Sequence, residues 1–190
     1  RLAGAVDHGE RGDPDEAAFR RVGLAIGKYW VCKRTPAAVG EALECLGGNG
    51  YVEDSGLPRL YREAPLLSIW EGSGTVNALD VLRALAREPA SREALRAELA
   101  AATGTSPEYD AALRRVEGDL AGEPGERDAR RLVERLGLLL QAGLLLRHSP
   151  VGEAFARARL GATTGLTFGA LPDGLDTVGI VRRAGAGLAL

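Results

Sequence analysis

Residues 57–85 read LPRLYREAPLLSIWEGSGTVNALDVLRAL, and the reading of the whole chain turns on them. Leu66, Leu67, Ile69 and Trp70 make an apolar run that ends at Glu71. Gly72-Ser73-Gly74 then opens a segment, Thr75 to Arg87, in which Val76, Leu79 and Leu82 recur at helical spacing. An acid with apolar neighbours and little water has its charged form penalised, which lifts its pKa toward the working range of a general base. Gly and Ser just ahead of a helix leave N–H groups free for an anionic or polar ligand. The plainer alternative is a surface acid near a helix N-terminus, where negative charge is favourable anyway. On pattern alone that alternative comes first.

Composition sets the outer limits. The 190 residues are 45% apolar and 26% charged, ordinary for a globular chain long enough to bury a core. A net charge of −2 does not advertise a polyanion partner. No apolar run approaches the roughly 20 residues that span a bilayer, and Arg1 to Ala5 lacks the apolar core of a signal peptide. The expectation is a cytoplasmic protein with no membrane partner. The chain holds no Met, so it is expected to be the hind part of a longer protein or its ordered remainder. Cys32 and Cys45 show no metal or redox spacing and are expected as buried small hydrophobes in a reducing compartment. No metal site is expected.

Along the chain the signals are helical throughout. Arg1 to His8 reads as the tail of a helix. Asp13 is a good N-cap with Pro14 at the first helical position, and Phe19, Val22, Ile26 and Trp30 follow at steps of three and four. Thr35-Pro36 either starts a new helix or kinks one long one, and the kink is preferred. Gly47-Gly48 ends that helix, as glycine C-caps do. Val52 to Leu57 reads as a polar loop. Pro58 opens a short helix that stops before Pro65, with Arg59 and Arg62 expected to pair with Glu53, Asp54 or Glu63.

Beyond Arg87, Pro89-Ala90-Ser91 is read as a link in which Ser91 caps the next helix, and Ser106-Pro107 starts another. Arg127 to Leu146 is the strongest helix of this half, with Leu132, Leu136, Leu139, Leu140 and Leu144 on one face. Ser149-Pro150 begins a helix ending near Gly161, and Asp173 to Arg183 a last short one. No segment alternates like a strand. The expected class is all-α, an up-and-down helical bundle over residues 1–88 with an added C-terminal helical subdomain over 89–190.

Glu71-Gly72-Ser73 ahead of a helix, preceded by Leu46-Gly47-Gly48-Asn49-Gly50-Tyr51 and by Arg59-Leu60-Tyr61-Arg62-Glu63, resembles the C-terminal helical domain of acyl-CoA dehydrogenases. The longer string through Leu85 is closer to the AidB-type branch, flavoproteins of the alkylation response. The likeness is dense from Lys33 to Leu85 and looser to Leu190. It implies FAD as cofactor, an acyl-CoA thioester as substrate, and Glu71 as the base that removes the α-proton while the β-hydride passes to the flavin. It further implies that Gly47, Gly48 and Asn49 touch the adenine and pyrophosphate part of FAD held mainly by a neighbouring subunit. That in turn implies a homo-oligomer, a tetramer built as a dimer of dimers. Gly72, Ser73 and Thr75 occupy positions where the family contacts FAD from the helix start, although Thr75 departs from the Gln that many dehydrogenases carry. Trp70, where ordinary dehydrogenases have Tyr, would narrow the acyl pocket and desolvate Glu71. The branch's reputation as poor dehydrogenases leaves Glu71 open as a retained but little-used base. The family's N-terminal helical and middle β-domains are not in these residues, so this piece alone is not expected to hold FAD firmly or turn over substrate.

Two other function classes remain open. The AidB branch is credited with binding double-stranded DNA, and Arg83, Arg127, Arg131 and Arg135 are the candidate phosphate contacts, supported by Arg114-Arg115 and Arg182-Arg183. Against this, Glu123, Glu126, Asp128 and Glu134 interleave with the stripe, Glu126 and Arg130 have ion-pair spacing, and Thr163-Thr164-Gly165 stands where relatives place a basic residue. A purely structural oligomerisation bundle is the third possibility, since the leucine faces permit it.

Overall fold

A computed structural model describes residues 1–122, 124–162, 165 and 167–185. These carry ten α-helices and three short 3-10 turns, with no strand among the described residues. The all-α bundle read from the sequence is what forms.

Helix α2, Pro14–Cys45, is the axis. Its start is fixed locally: the Asp13 carboxylate accepts the N–H groups of Asp15 and Glu16 at 3.0 and 3.1 Å, and Pro14 takes the first helical position. Phe19, Val22, Ile26 and Tyr29 are buried along one face. Pro36 has no N–H for the carbonyl four residues back, yet the helix runs through it unbroken. At about 1.5 Å per residue α2 extends for roughly 48 Å. Helix α1, Leu2–Glu10, lies against it, as do α5 (Gly74–Arg87), α6 (Pro89–Ala100) and α8 (Ala129–His148). Helix α7, Pro107–Ala121, packs on α8, and α9, Gly152–Leu160, on both. Toward the C-terminal half of α2 sit α3 (Gly48–Tyr51), α4 (Leu57–Glu63) and a 3-10 turn, Ala64–Ser68. Helix α10, Thr177–Ala184, is capped by the Asp176 carboxylate and leaves Val178 and Val181 exposed.

One buried cluster joins the two halves. Phe19, Val22 and Ile26 of α2 meet Ala78 and Val81 of α5, Leu95 and Leu99 of α6, and Leu132, Leu136 and Leu139 of α8. This core is continuous across residue 88. Gly137 matters to it, because a Cβ there would stand 2.9 Å from Trp30 Cβ and Cγ; only a bare backbone lets α8 come this close to α2. An ion-pair cluster ties the same helices from outside the core. Arg21 reaches Asp80 with two bonds of 2.8 and 3.0 Å and Glu88 with one of 3.1 Å.

Several local expectations are corrected. Ser91 is not the cap of α6: proline suits the first helical position, so the helix starts at Pro89, and buried Ser91 donates to the Glu88 carboxylate at 3.3 Å. Val76 is 57% exposed, because α5 buries the row Gly74, Ala78, Val81, Ala84 and Leu85 and Val76 lies on the opposite side of the helix. Cys45 is exposed and Cys32 half-buried, since the end of α2 runs past the helices that would cover it. The stretch read as a loop contains a 3-10 turn, Glu53–Ser55, preceded by α3. A further 3-10 turn, Glu126–Asp128, leads into α8, and Asp128 rather than Glu126 takes the nearby arginines.

Candidate functional site: the rim around Glu71

Pro65 stops α4 and the Ala64–Ser68 turn follows, closed by the Ile69 N–H on the Leu66 carbonyl at 2.9 Å. The chain then reverses into α5. Glu71 takes φ +53°, the only non-glycine residue at positive φ among those described, and Gly72 follows at φ +103°. For a side chain with a Cβ this left-handed backbone costs of order 1–3 kcal/mol and persists only where its surroundings hold it.

The holders are visible. Lys28 Nζ, from α2, donates to the carbonyls of Trp70 at 2.7 Å and Glu71 at 3.0 Å, and lies 3.8 Å from Glu71 Oε2. Asn77 Nδ2, one turn into α5, donates to the carbonyls of Gly72 at 2.7 Å and Ser73 at 3.0 Å. Four successive carbonyls, 70 to 73, thus each accept a bond from one of two side chains. Lys33 covers the other flank: a Cβ at Gly74 would collide with its Cε. Sequence reasoning missed Lys28 and Asn77. The available signal was that Lys28 and Lys33 are the only lysines in an arginine-rich chain.

The side chain of Glu71 itself points outward, 82% exposed. The expected desolvation by Trp70 and its aliphatic neighbours is therefore not supplied within these residues. Trp70 is 55% exposed, Ile69 64%, Leu66 46% and Leu67 39%. Close together along the turn, they form an apolar rim open to water.

The other positions read as cofactor contacts lie open as well. Gly47 takes φ +58° after the end of α2, and nothing lies within 4 Å of a Cβ built on Gly47 or Gly48. Asn49 is exposed on α3. Ser73 is the N-cap of α5 and makes no side-chain cap bond, so the first N–H groups of that helix keep no side-chain partner, while Thr75 is exposed beside them. The uncluttered glycine backbone and the uncapped helix start fit the polar edge of a dinucleotide cofactor. Nothing among the described residues encloses a flavin ring.

Each arginine read as a phosphate contact has a carboxylate within 4 Å, although Arg83, Arg127 and Arg131 stay largely exposed. Arg83 bonds Asp80 at 3.3 Å, Arg131 bonds Asp128 at 2.9 Å, Arg127 approaches Asp128 at 3.9 Å, and Arg135 pairs with Asp119. Arg114 and Arg115 are exposed, while Glu123, Thr163 and Thr164 lie outside the described residues. As expected, Arg59 and Arg62 pair with Glu63 and Glu53, at 2.9 and 2.8 Å. No group of His, Cys, Asp and Glu that could hold a metal occurs among the described residues, and no described helix is long and apolar enough to cross a membrane.

Comparison with known proteins supplies the frame for this rim. Residues 2–86 match the model of the acyl-CoA dehydrogenase C-terminal domain. The chain is 38% identical over 168 residues to AidB of Escherichia coli (strain K12), which takes in 87% of this chain and 30% of AidB. Among solved structures, Bd2924 in its apo form superposes with a TM-score of 0.62 at 31% identity, covering 82% of this chain and 28% of that one. Caenorhabditis elegans ACDH-11, solved in complex with C11-CoA, gives 0.60 at 25% identity, covering 84% and 30%. The chain therefore spans less than a third of the length of these relatives. Residues 2–86 of this chain are thus an acyl-CoA dehydrogenase C-terminal domain.

Proposed function

We propose that this chain is the base-bearing part of an FAD-dependent, acyl-CoA dehydrogenase-like oxidoreductase acting on a CH–CH bond. The observation that carries the reading is the left-handed backbone at Glu71, held by Lys28 and Asn77 on a rim of exposed apolar side chains. A strained, well-supported acid on an uncovered apolar edge is a site whose remaining walls come from elsewhere. Glu71 accepts the proton α to the thioester carbonyl, becoming the neutral acid as the α-carbon gains the electron pair. Closure of the rest of the molecule over Leu66, Ile69 and Trp70 removes the water that would otherwise favour the carboxylate. Gly47, Gly48 and Asn49, with Gly72, Ser73 and Thr75, present backbone N–H groups and small side chains to the polar part of FAD. FAD, when bound, supplies the acceptor for the β-hydride.

The complex of ACDH-11 with C11-CoA supports a long acyl thioester as the substrate class. The exposed glycine edge and rim support assembly with further copies, in the family's form of a homotetramer. Two unbridged cysteines suit the cytoplasm. Double-stranded DNA draws no support from Arg83, Arg127, Arg131 and Arg135, each of which already has a carboxylate. A purely structural bundle would leave the strain at Glu71 without a purpose.

In the full-length protein, Glu71→Gln should lower acyl-CoA oxidation by about 10²–10⁴-fold while flavin absorbance and folding stay as they were. Oxidation at the wild-type rate would remove Glu71 as the base. Residues 1–190 expressed alone should purify colourless, and tight, stoichiometric yellow flavin on that piece would show that the site needs no other domain.

A further inference from the structure

A cavity of about 770 Å³ lies between α1, α2, α8, α9 and the segment around Phe168, remote in sequence from Glu71 and lined by none of the residues assigned to its rim. Small-molecule sites run to roughly 300–1,000 Å³. Its walls are mostly apolar, with Ile26, Leu140, Leu144 and Phe155 among them, and two arginines, Arg34 and Arg159, stand at the Phe168 side. Their guanidinium carbons lie 4.6 and 5.8 Å from the centroid of that one ring.

The pair differs from the paired arginines of the bundle and shares with partly buried Arg20, Arg92 and Arg157 the lack of a carboxylate among the described residues, but only Arg34 and Arg159 stand together at one ring on the cavity wall. Arg1, Arg21, Arg135 and Arg147 each bind a carboxylate. Arg34 and Arg159 have none within 4 Å among the described residues; the one acid lining the cavity, Glu134, forms no ion pair with either. Burial, and then the charge of Arg34, pull the pKa of Arg159 below the usual guanidinium value. Two like charges drawn to one ring beside an apolar space are costly until a counter-charge arrives.

We propose that this cavity binds an anionic amphiphile, its alkyl tail against Ile26, Leu140, Leu144 and Phe155 and its carboxylate or phosphate head on Arg34 and Arg159. Fatty acids and alkyl phosphates share that chemistry. The rival account is a cation–π staple that only tethers the Phe168 segment.

The test is calorimetric titration of the full-length protein with sodium laurate, dodecyl phosphate, dodecanol and dodecyltrimethylammonium, each below its micellar concentration. Laurate or dodecyl phosphate should bind with one site per chain, and whichever is tighter names the head. Dodecanol and the cation should bind at least tenfold more weakly. Arg34→Gln and Arg159→Gln should each weaken the anion at least tenfold, while Arg34→Lys, which keeps the charge and guards against a folding failure, should stay within a few-fold of wild type. Glu71→Gln should bind as wild type does, which separates this cavity from an acyl site at the rim. No binding of either anion, equal binding of dodecanol, or unchanged affinity in the arginine variants would overturn the proposal. Loss of thermal stability in those variants with affinity intact would establish the staple instead.

Discussion

Between α7 and α8 the large apolar side chains are fully taken up: Tyr109, Val116, Leu132, Leu136 and Leu139 are each at most 1% exposed. Around Glu71 the same kinds of side chain stand in water, Ile69 at 64% and Trp70 at 55%, on a backbone held in an unfavourable conformation. The first region is covered by this chain alone, and in the function proposed above the second is covered by something laid over it. Apolar area drives folding in proportion to its removal from water, so the added helices stabilise the bundle, while the rim's exposed area adds nothing to the stability of this chain. Stability and chemistry are therefore separable here. Mutations in one region should leave the other's readout unmoved.

The largest expected effect is in the covered region. Leu136→Ala removes a side chain with no exposure at the meeting of α8 with the shared core, and should cost about 2–5 kcal/mol. Native-state hydrogen exchange of α8 amides in the full-length protein reads it directly. A loss under about 1 kcal/mol would mean the core relaxes freely, against the close packing seen around Gly137.

Next comes the ion-pair cluster that fastens α6. Glu98 accepts from Arg1 at 2.6 Å and pairs with Arg147. Burial alone would raise its pKa, but the hydrogen bonds and charges of the two arginines outweigh this and hold the carboxyl below its usual range. A depressed folded pKa means the stabilisation is complete above the unfolded value and disappears as pH falls through the folded one. Glu98→Gln should thus cost about 2 kcal/mol at pH 7, and progressively less as the pH falls from about 4 through the depressed folded pKa. An equal cost across that range would show that packing, not charge, is what Glu98 contributes.

The same contrast marks what was legible in the sequence. Helices α2 and α7 could be read because period, cap and proline are local signals, with Asp13 and Ser106 capping where their spacing says, and α8 from its leucine period alone. Cys45 and Val76 could not, since whether an apolar position is covered depends on where neighbouring helices end. At the site, Glu71 and the glycines were found through resemblance, and pattern alone ranked Glu71 as a surface acid. Its exposure on this chain agrees with that plainer reading as far as these residues reach. The support of the turn was illegible for a different reason: Lys28 lies 42 residues before the Trp70 carbonyl it binds, and no local rule pairs a helix lysine with a distant carbonyl. Nor does residue type forecast positive φ at a glutamate.

That backbone yields the smallest effect and the sharpest one. Left-handed φ at a residue with a Cβ costs roughly 2 kcal/mol, while glycine gives back about 0.5–1 kcal/mol through its freer unfolded chain. Glu71→Gly should therefore stabilise the 69–76 turn by about 1 kcal/mol. Glu71→Ala is the control, because it removes the same carboxylate and the same 3.8 Å approach to Lys28 but keeps the strain. Exchange of the α5 N-terminal amides in the two variants isolates the conformational term, and both should lack activity. If the glycine variant gains nothing over the alanine one, Glu71 sits at φ +53° without strain, and the turn is an ordinary bend rather than a backbone held under tension to present an acid.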